Sequence, residues 1–226
     1  GNYEDAFTWF TKAAALGQAE SIAELADYYY HFYDAKELRS TIPYDPVKAI
    51  GLYRRAATKN FSDAGYTALQ AAFGYIFHIG HLPLDWGLIA DLTHMAATKE
   101  RFMFALPYIG YMRIHGLGVT KNIRFAVQSL LRVLDEEQRA FEEENRVLFY
   151  DITRALTRVA LGYAYEKGYV TGKPDLDQAV SYYEQSQQYI LSHKANLDEE
   201  LKDVPIDDEA AERLEAFEEI DGHWQY

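Results

Sequence analysis

The chain contains no cysteine among its 226 residues. This absence excludes disulfide bonds, thiolate catalysis and metal sites built on cysteine, but it leaves the cellular compartment open. Long apolar runs are also missing: no stretch of about eighteen apolar residues occurs, so the sequence predicts no membrane-spanning helix. What is present is 49% hydrophobic and 25% charged residues, a composition typical of a globular protein that buries a core.

Motifs for catalysis and nucleotide binding are missing as well. There is no Gly-x-Ser-x-Gly elbow, no GxGxxG sequence and no P-loop. His78 and His81 lie near Asp85, but two histidines are too few for a catalytic zinc site, and Gly80 and Pro83 mark this stretch as a turn. We therefore expect no cofactor, no metal and no enzymatic activity. A buried pair of carboxylates stays open as an alternative.

Negative charge is concentrated towards the C-terminal end of the chain. The formal net charge is −13, and residues 196–226 hold 12 acidic and 2 basic residues, which leaves a net charge of −3 for the rest. Nucleic-acid binding needs a cationic stripe, and none is visible, so we expect no nucleic-acid partner. The charge is compatible with a basic protein partner, and it is equally typical of an acidic end that keeps a protein soluble.

One pattern recurs along the chain. Each copy begins with Asp or Asn, continues after three residues usually with Ala, and then carries an aromatic or aliphatic pair and small residues. The copies begin at Asn2, Asp45, Asp85, Asn122 and Asp175. The intervals are 43, 40, 37 and 53 residues, a variable period typical of a solenoid whose loops differ in length.

Each copy predicts a pair of helices. The leading Asp or Asn is a good N-cap, and a second apolar-periodic stretch follows every first helix. The second stretches cover approximately residues 19–33, 62–79, 102–115, 146–167 and 207–220. The last of them has one apolar and one acidic face, so it predicts an acidic capping helix over about residues 207–220.

Glycines mark the places where helices meet and end. Gly110 and Gly162 lie inside second helices, where they permit close approach of a neighbouring helix, and Gly116 and Gly168 supply the positive φ with which the chain leaves the helix. Pro107 is expected to kink its helix. The long fourth interval predicts either two longer helices or an acidic protruding elbow.

These positions together resemble the Sel-one-like repeat (SLR), a tetratricopeptide-like αα-hairpin motif. The first copy matches at Ala6, Trp9, Phe10, Lys12, Ala13, Ala14, Gly17, Leu25 and Tyr29. The junction of the third and fourth copies matches at Ala105, Ile109, Gly110, Gly116, Gly118, Val119, Asn122 and Ala126. The resemblance covers about residues 2–193, although copies two and five are degenerate and copy two lacks the Leu-Gly pair. The uneven spacing argues against the tetratricopeptide repeat proper.

The resemblance implies an all-α fold and a binding function. We predict a right-handed αα superhelix of about five helix pairs, a single repeat domain over residues 1–226 closed by the capping helix. The family implies an adaptor or scaffold that binds a protein or peptide in a concave groove, often in the bacterial envelope or in signalling. Its compartment stays open, with a periplasmic or secreted location preferred to the cytoplasm. One alternative is an envelope accessory protein that binds a glycan or small molecule, with or without hydrolytic activity; another is a piece of a longer solenoid.

Aromatic residues supply the candidate contacts. They make up 15% of the chain, and the six consecutive ring-bearing residues at 28–33 cannot all face one side of a helix. Tyrosine is common at binding surfaces because it brings contact area and a hydrogen bond with few rotatable bonds. The predicted partner contacts are Tyr28, Tyr33, Tyr66, Tyr75, Trp86 and Tyr111.

Overall fold

The computed structural model describes residues 3–30, 41–76, 81–98, 102–140 and 148–201. Within these ranges all regular structure is helical and no strand occurs, so the all-α prediction is confirmed. The helices are α1 (Tyr3–Ala15), α2 (Ala19–Tyr29), α3 (Pro46–Ala57), α4 (Ala64–Ile76), α5 (Trp86–Ala97), α6 (Phe102–His115), α7 (Ile123–Ala140), α8 (Leu148–Glu166) and α9 (Leu176–Leu201). None of them is long and apolar enough to cross a membrane.

First helices begin at the residues that the sequence marks as N-caps. In each case Oδ1 of the cap accepts a hydrogen bond from a backbone N–H three residues on, which satisfies an amide that the first turn leaves without a helical partner. These bonds join Asp45 to Lys48 (2.9 Å), Asp85 to Leu88 (3.0 Å), Asn122 to Phe125 (3.0 Å) and Asp175 to Gln178 (3.1 Å). The fifth predicted cap, Asn2, lies outside the described residues.

The ends of second helices repeat as well. Gly116 and Gly168 have φ values of 77° and 72°, the left-handed conformation that glycine adopts without strain. The next amide then donates to the carbonyl five residues back, as in a Schellman motif, at 2.9 Å after α6 and 2.8 Å after α8. These glycines therefore end the helices as the sequence predicted.

The chain forms two compact units, Gly1–Phe102 and Met103–Tyr226. In the first unit each helix from α1 to α4 packs against the next one along the chain. A Cβ added at Gly74 in α4 would lie 2.4 Å from the side chain of Ile50 in α3, so these helices nearly touch there. Copy two lacks the Leu-Gly pair of the repeat pattern. Phe73-Gly74 lies at the place of that pair, with Phe instead of Leu.

The second unit is built around small and aliphatic side chains. Its core cluster consists of Ile114, Ala126, Val127, Leu130, Ala160, Leu161 and Ala164. The repeat glycines of α6 and α8 lie against the following first helix. An added Cβ would be 2.9 Å from Cγ of Leu130 at Gly110, and 2.6 Å from Cε1 of Tyr183 at Gly162. These glycines set the distance between consecutive repeats.

The long fourth interval is taken up by longer helices, the first of the two alternatives. α7 and α8 have 18 and 19 residues, against 11 to 14 in α1–α6. Glu137 in the extension of α7 forms ion pairs with Arg154 at 2.7 Å and Arg158 at 2.8 Å, which joins the two lengthened helices. The elbow at 141–147 and the capping helix predicted at 207–220 lie outside the described residues. Pro107 is buried inside α6.

Candidate functional site

Two of the predicted contact residues are largely buried. Tyr28 packs against the rings of Phe7 and Phe10, with centroids 5.9 and 5.8 Å away. The Tyr75 hydroxyl accepts a hydrogen bond from Nη1 of Arg54 at 3.1 Å. Both side chains hold consecutive helices of the first unit together, and their contact with a partner stays a prediction.

The other predicted contacts are partly exposed or lie outside the described residues. Tyr66 is partly exposed, and its ring meets that of Tyr53 edge-on at 6.3 Å. Trp86 is partly exposed at the start of α5, and Tyr33 lies outside the described residues. Tyr111 belongs to the second unit, where it takes part in a cluster of rings that are exposed or partly exposed.

This cluster, which we call the aromatic patch, consists of Tyr111, His115, Tyr163 and Tyr169. The His115 ring lies between Tyr111 and Tyr163, with centroids 4.5 and 4.7 Å away. Tyr169 meets Tyr163 edge-on at 6.2 Å. His115 is exposed and the three tyrosines are half-buried, so the patch presents a continuous aromatic surface on the second unit.

The repeat explains why these rings meet. Tyr111 directly follows Gly110, and Tyr163 directly follows Gly162. Since both glycines lie against the following first helix, the next residue occupies the same place in two successive second helices. Sequence reasoning chose Tyr111 and missed His115, Tyr163 and Tyr169. The register of the repeat glycines was the signal that could have found Tyr163.

The patch is electrically neutral, with lysines near its edge. The neighbouring rings partly shield the imidazole of His115 from water, and this desolvation, with a smaller contribution from the charge of Lys121, lowers the pKa of His115, so its imidazole is uncharged at neutral pH. Burial raises the pKa of Tyr111, which keeps its hydroxyl protonated. The Nζ of Lys167 lies 5.3 Å from the centre of the Tyr163 ring. Such a surface can pack against apolar side chains and can donate and accept hydrogen bonds.

A second feature, in the first unit, is a tyrosine–carboxylate pair. The hydroxyl of Tyr53 in α3 donates a hydrogen bond to Oδ1 of Asp27 in α2. Burial raises the pKa of Asp27 to about 7; the bond from Tyr53 lowers it, and the nearby charges of Glu24 and Asp63 raise it. Tyr53 itself is buried, and the rings of Tyr30 and Tyr66 flank it.

The same pair recurs in the second unit. The hydroxyl of Tyr183 in α9 donates to Oε2 of Glu166 in α8 at 3.0 Å. Tyr53 and Tyr183 both lie eight residues after their N-caps, Asp45 and Asp175. The carboxyls differ in position, because Asp27 directly follows Ala26 whereas Glu166 lies four residues after Gly162, the equivalent of Ala26. A raised pKa is a property of catalytic acids, but a tyrosine–carboxylate bond that joins a first helix to the preceding second helix in two repeats is better explained as a link between consecutive helices.

Within the described residues, no three His, Asp or Glu side chains lie close enough together to hold a metal ion. His81 has a φ of 61° in the turn before α5, and His78 lies outside the described ranges.

Comparison with protein families gives one match. The family model for the Sel1 repeat, the Sel-one-like motif of the sequence analysis, matches residues 1–18, 19–61, 108–128 and 153–186, a little over half of the chain. No curated protein matches the chain significantly.

Solved structures give similar folds. A Sel1 repeat protein from Oxalobacter formigenes is 23% identical with a TM-score of 0.52, over 83% of this chain and 65% of that one. The chain also matches c5321, a protective antigen of uropathogenic Escherichia coli with an SLR fold, at 17% identity and a TM-score of 0.47, over 96% of this chain and 48% of that one. The chain thus spans less than two thirds of either protein. The first likeness confirms the predicted repeat fold.

Proposed function

Because the chain belongs to the Sel1 repeat family, we propose that it is an interaction module that binds a protein or peptide partner without catalysing a reaction. Proteins with Sel1 repeats are generally protein-interaction scaffolds. The observation that carries the proposal for this chain is the aromatic patch, because it joins partly exposed rings from two successive repeats into one surface.

The chemistry of the patch suits a protein partner. Its tyrosines are held by the core of the second unit, so little side-chain freedom is lost when a partner covers them. Their hydroxyls and the neutral imidazole of His115 can donate and accept hydrogen bonds at the rim of an apolar contact. We propose that a partner places aliphatic or aromatic side chains on these rings.

In the first unit, Tyr66 and Trp86 are the predicted contacts that keep partly exposed side chains. The carboxylates of Glu24 and Asp63 lie near Asp27. Asp27 in turn bonds to Tyr53, the ring that Tyr66 meets. This acidic surrounding supports the proposal of a basic partner segment at Tyr66.

Quantitative affinity capture tests the patch. The double variant His115→Ala, Tyr163→Leu removes two rings but keeps an apolar side chain against the core. The matched control is Trp9→Ala, which removes an exposed ring from α1. We expect proteins that wild type and Trp9→Ala retain to be lost with the double variant, and the recombinant partner to bind it at least about tenfold more weakly in calorimetry. Equal retention by all three folded proteins would show that the patch is not the binding surface.

The glycan-binding alternative predicts a different result. A glycan ligand would bind wild type on a glycan array, and no protein would depend on the patch in the capture experiment. The recurrence of the tyrosine–carboxylate pair in two repeats supports a structural role for Asp27, so we prefer the protein-binding role.

A further inference from the structure

Within the described residues, one face of α9, the first helix of the fifth repeat, is exposed. The fifth residue after the N-cap is buried in repeats two to four: Ile50 in α3, Ala90 in α5 and Val127 in α7. The equivalent residue in α9 is Val180, and 52% of it is exposed. Repeat five therefore differs from repeats two to four at a position that normally belongs to the core.

The earlier repeats show what kind of element covers this position. Ile50 lies against Gly74 of α4, the second helix of its own repeat. Val127 lies in the core cluster with Ala160 and Leu161 of α8, again the second helix of its repeat. The repeat geometry thus makes this position a contact for a helix that packs alongside.

The uncovered residues of α9 form a stripe. Leu176 and Leu191 are 61% and 59% exposed, and together with Val180 they recur at intervals of four and eleven residues. Since an α-helix has about 3.6 residues per turn, these three side chains face one side over about 22 Å of helix. We call this stripe the α9 seat.

The charged residues beside the α9 seat indicate which kind of helix would bind there. Asp177 and Glu184 are exposed beside the stripe, and they are the only charged residues between 176 and 192. Residues 196–226 of the chain hold 12 acidic and 2 basic residues, so a helix from this segment would bring like charges to the seat. A helix with basic residues along one edge is complementary.

We propose that the α9 seat binds an amphipathic helix of a protein partner, with an apolar face of leucine-like side chains and Lys or Arg along one edge. The partner helix takes the place that the second helix occupies in repeats two and four. None of the residues of the α9 seat belongs to the aromatic patch, so the inference goes beyond the proposed function and adds a second binding surface.

A peptide titration tests the inference on the full chain. The probe is a fluorescein-labelled synthetic helix of about 18 residues, with leucines on one face and lysines along one edge, and its control has glutamates in place of the lysines. We expect the lysine peptide to bind saturably in fluorescence anisotropy, with an affinity that falls as salt rises, and the glutamate peptide to bind at least about tenfold more weakly.

Matched variants locate the binding. Val180→Ser with Leu191→Ser should weaken binding of the lysine peptide at least about tenfold. The control Val47→Ser with Leu84→Ser removes the same residue types from exposed positions in the first unit and should bind as wild type does. Absence of saturable binding, equal binding of both peptides, or equal loss in both variants overturns the inference. The assay uses no captured partner, so such a result leaves the role of the aromatic patch standing.

Cysteine labelling decides whether the chain covers its own seat. The chain has no native cysteine, so Val180→Cys and Val47→Cys each carry a single thiol. Val47 is 43% exposed, and we expect the two thiols to react with a maleimide at rates within about threefold of each other. Protection of Val180→Cys that is released by Phe217→Asp would assign the seat to the C-terminal segment of the chain and overturn the partner assignment.

Discussion

The two tyrosine–carboxylate bonds join equivalent tyrosines, Tyr53 and Tyr183, to carboxyls that lie about one helical turn apart in the repeat and in different surroundings. In the first unit Tyr53 is 1% exposed, and burial raises the pKa of Asp27 to about 7. In the second unit the hydrogen bonds from Lys167 and Tyr183 lower the pKa of Glu166, which lies close to solvent. One carboxyl is therefore held against ionisation at neutral pH and the other is held ionised.

This difference shows which properties follow from the repeat and which do not. The repeat fixes where the tyrosine of a first helix meets the preceding second helix, because the caps and small residues fix the register. Burial and neighbouring groups then set the pKa of each carboxyl. Burial is the largest cause of the raised pKa of Asp27, with smaller contributions from Glu24 and Asp63, whereas the hydrogen bonds from Lys167 and Tyr183 lower the pKa of Glu166. Carboxyls that bond to equivalent tyrosines can thus respond to pH in opposite directions.

The largest expected effect is the loss of the buried tyrosine. Tyr53→Ala should destabilise the first unit by about 3–5 kcal/mol, since it leaves a cavity and removes the hydrogen bond to Asp27. Tyr183→Ala should cost less, because Tyr183 is partly exposed and water can fill its place. Urea denaturation followed by circular dichroism compares the two variants. A larger cost for Tyr183→Ala would contradict the ranking of the two bonds.

The second-largest expected effect is a difference in how the two bonds contribute to stability as pH changes. Asp27 keeps its proton in the folded unit up to about pH 7, whereas an unfolded Asp loses it near pH 4. Its stabilising contribution is therefore complete below about pH 4 and is lost as pH rises through about 7, by about 2–3 kcal/mol. Glu166 has the opposite sign, because its lowered pKa gives a contribution that is present above about pH 4.3 and is lost as pH falls.

Tryptophan fluorescence measures the first of these responses, since Trp9 and Trp86 lie in the first unit. The urea midpoint of wild type should fall between pH 5 and pH 8, and Asp27→Asn should remove most of this slope. Hydrogen exchange of the α8 amides reports on Glu166. If Asp27→Asn keeps the wild-type slope, another group controls the pH response of the first unit.

Local signals made much of the fold predictable. The Asp and Asn caps bond to amides three residues away, and the terminal glycines allow a bond that spans five residues. The neighbouring sequence alone therefore determines where these helices begin and end. The bond between Tyr53 and Asp27 joins residues 26 positions apart, and their burial depends on how α2 packs against α3. The repeat pattern predicts that the two helices meet, but the local signals do not reveal which polar side chains the contact buries.

The candidate site was predicted only in part for a related reason. Tyr28 and Tyr75 belong to aromatic-rich stretches, but composition does not reveal which side of a helix faces the core. Tyr111 was chosen for the same surplus of tyrosine and lies partly exposed in the aromatic patch. The glycine register, which relates Tyr111 to Tyr163, was the more informative signal because it reflects a steric contact between helices.

A smaller effect on stability tests how closely the two helices pack beside each tyrosine–carboxylate bond. The residue before Asp27 is Ala26, which is fully buried, whereas the residue at the equivalent place in α8 is Gly162. Gly162→Ala should destabilise the second unit by about 1–2 kcal/mol, because the added Cβ would lie 2.6 Å from the Tyr183 ring. Gly51→Ala is the control: nothing lies within 4 Å of its Cβ, so it should stabilise α3 by about 1 kcal/mol. If Gly162→Ala and Gly51→Ala both raise the denaturation midpoint, the gain in helix propensity outweighs the steric conflict with the Tyr183 ring.

The smallest effect concerns the charge on Glu166. Glu166→Gln keeps an oxygen that accepts from Tyr183 and removes the ion pair with Lys167, which is exposed and screened by water. We expect the urea midpoint at pH 7 to stay within measurement error, and the loss of stability below pH 4 to diminish. Asp27→Asn changes stability mainly above pH 5, so the two substitutions together divide the pH profile between the two units. A large loss at pH 7 from Glu166→Gln would show that the hydrogen bond from Tyr183 needs an ionised carboxylate as its acceptor.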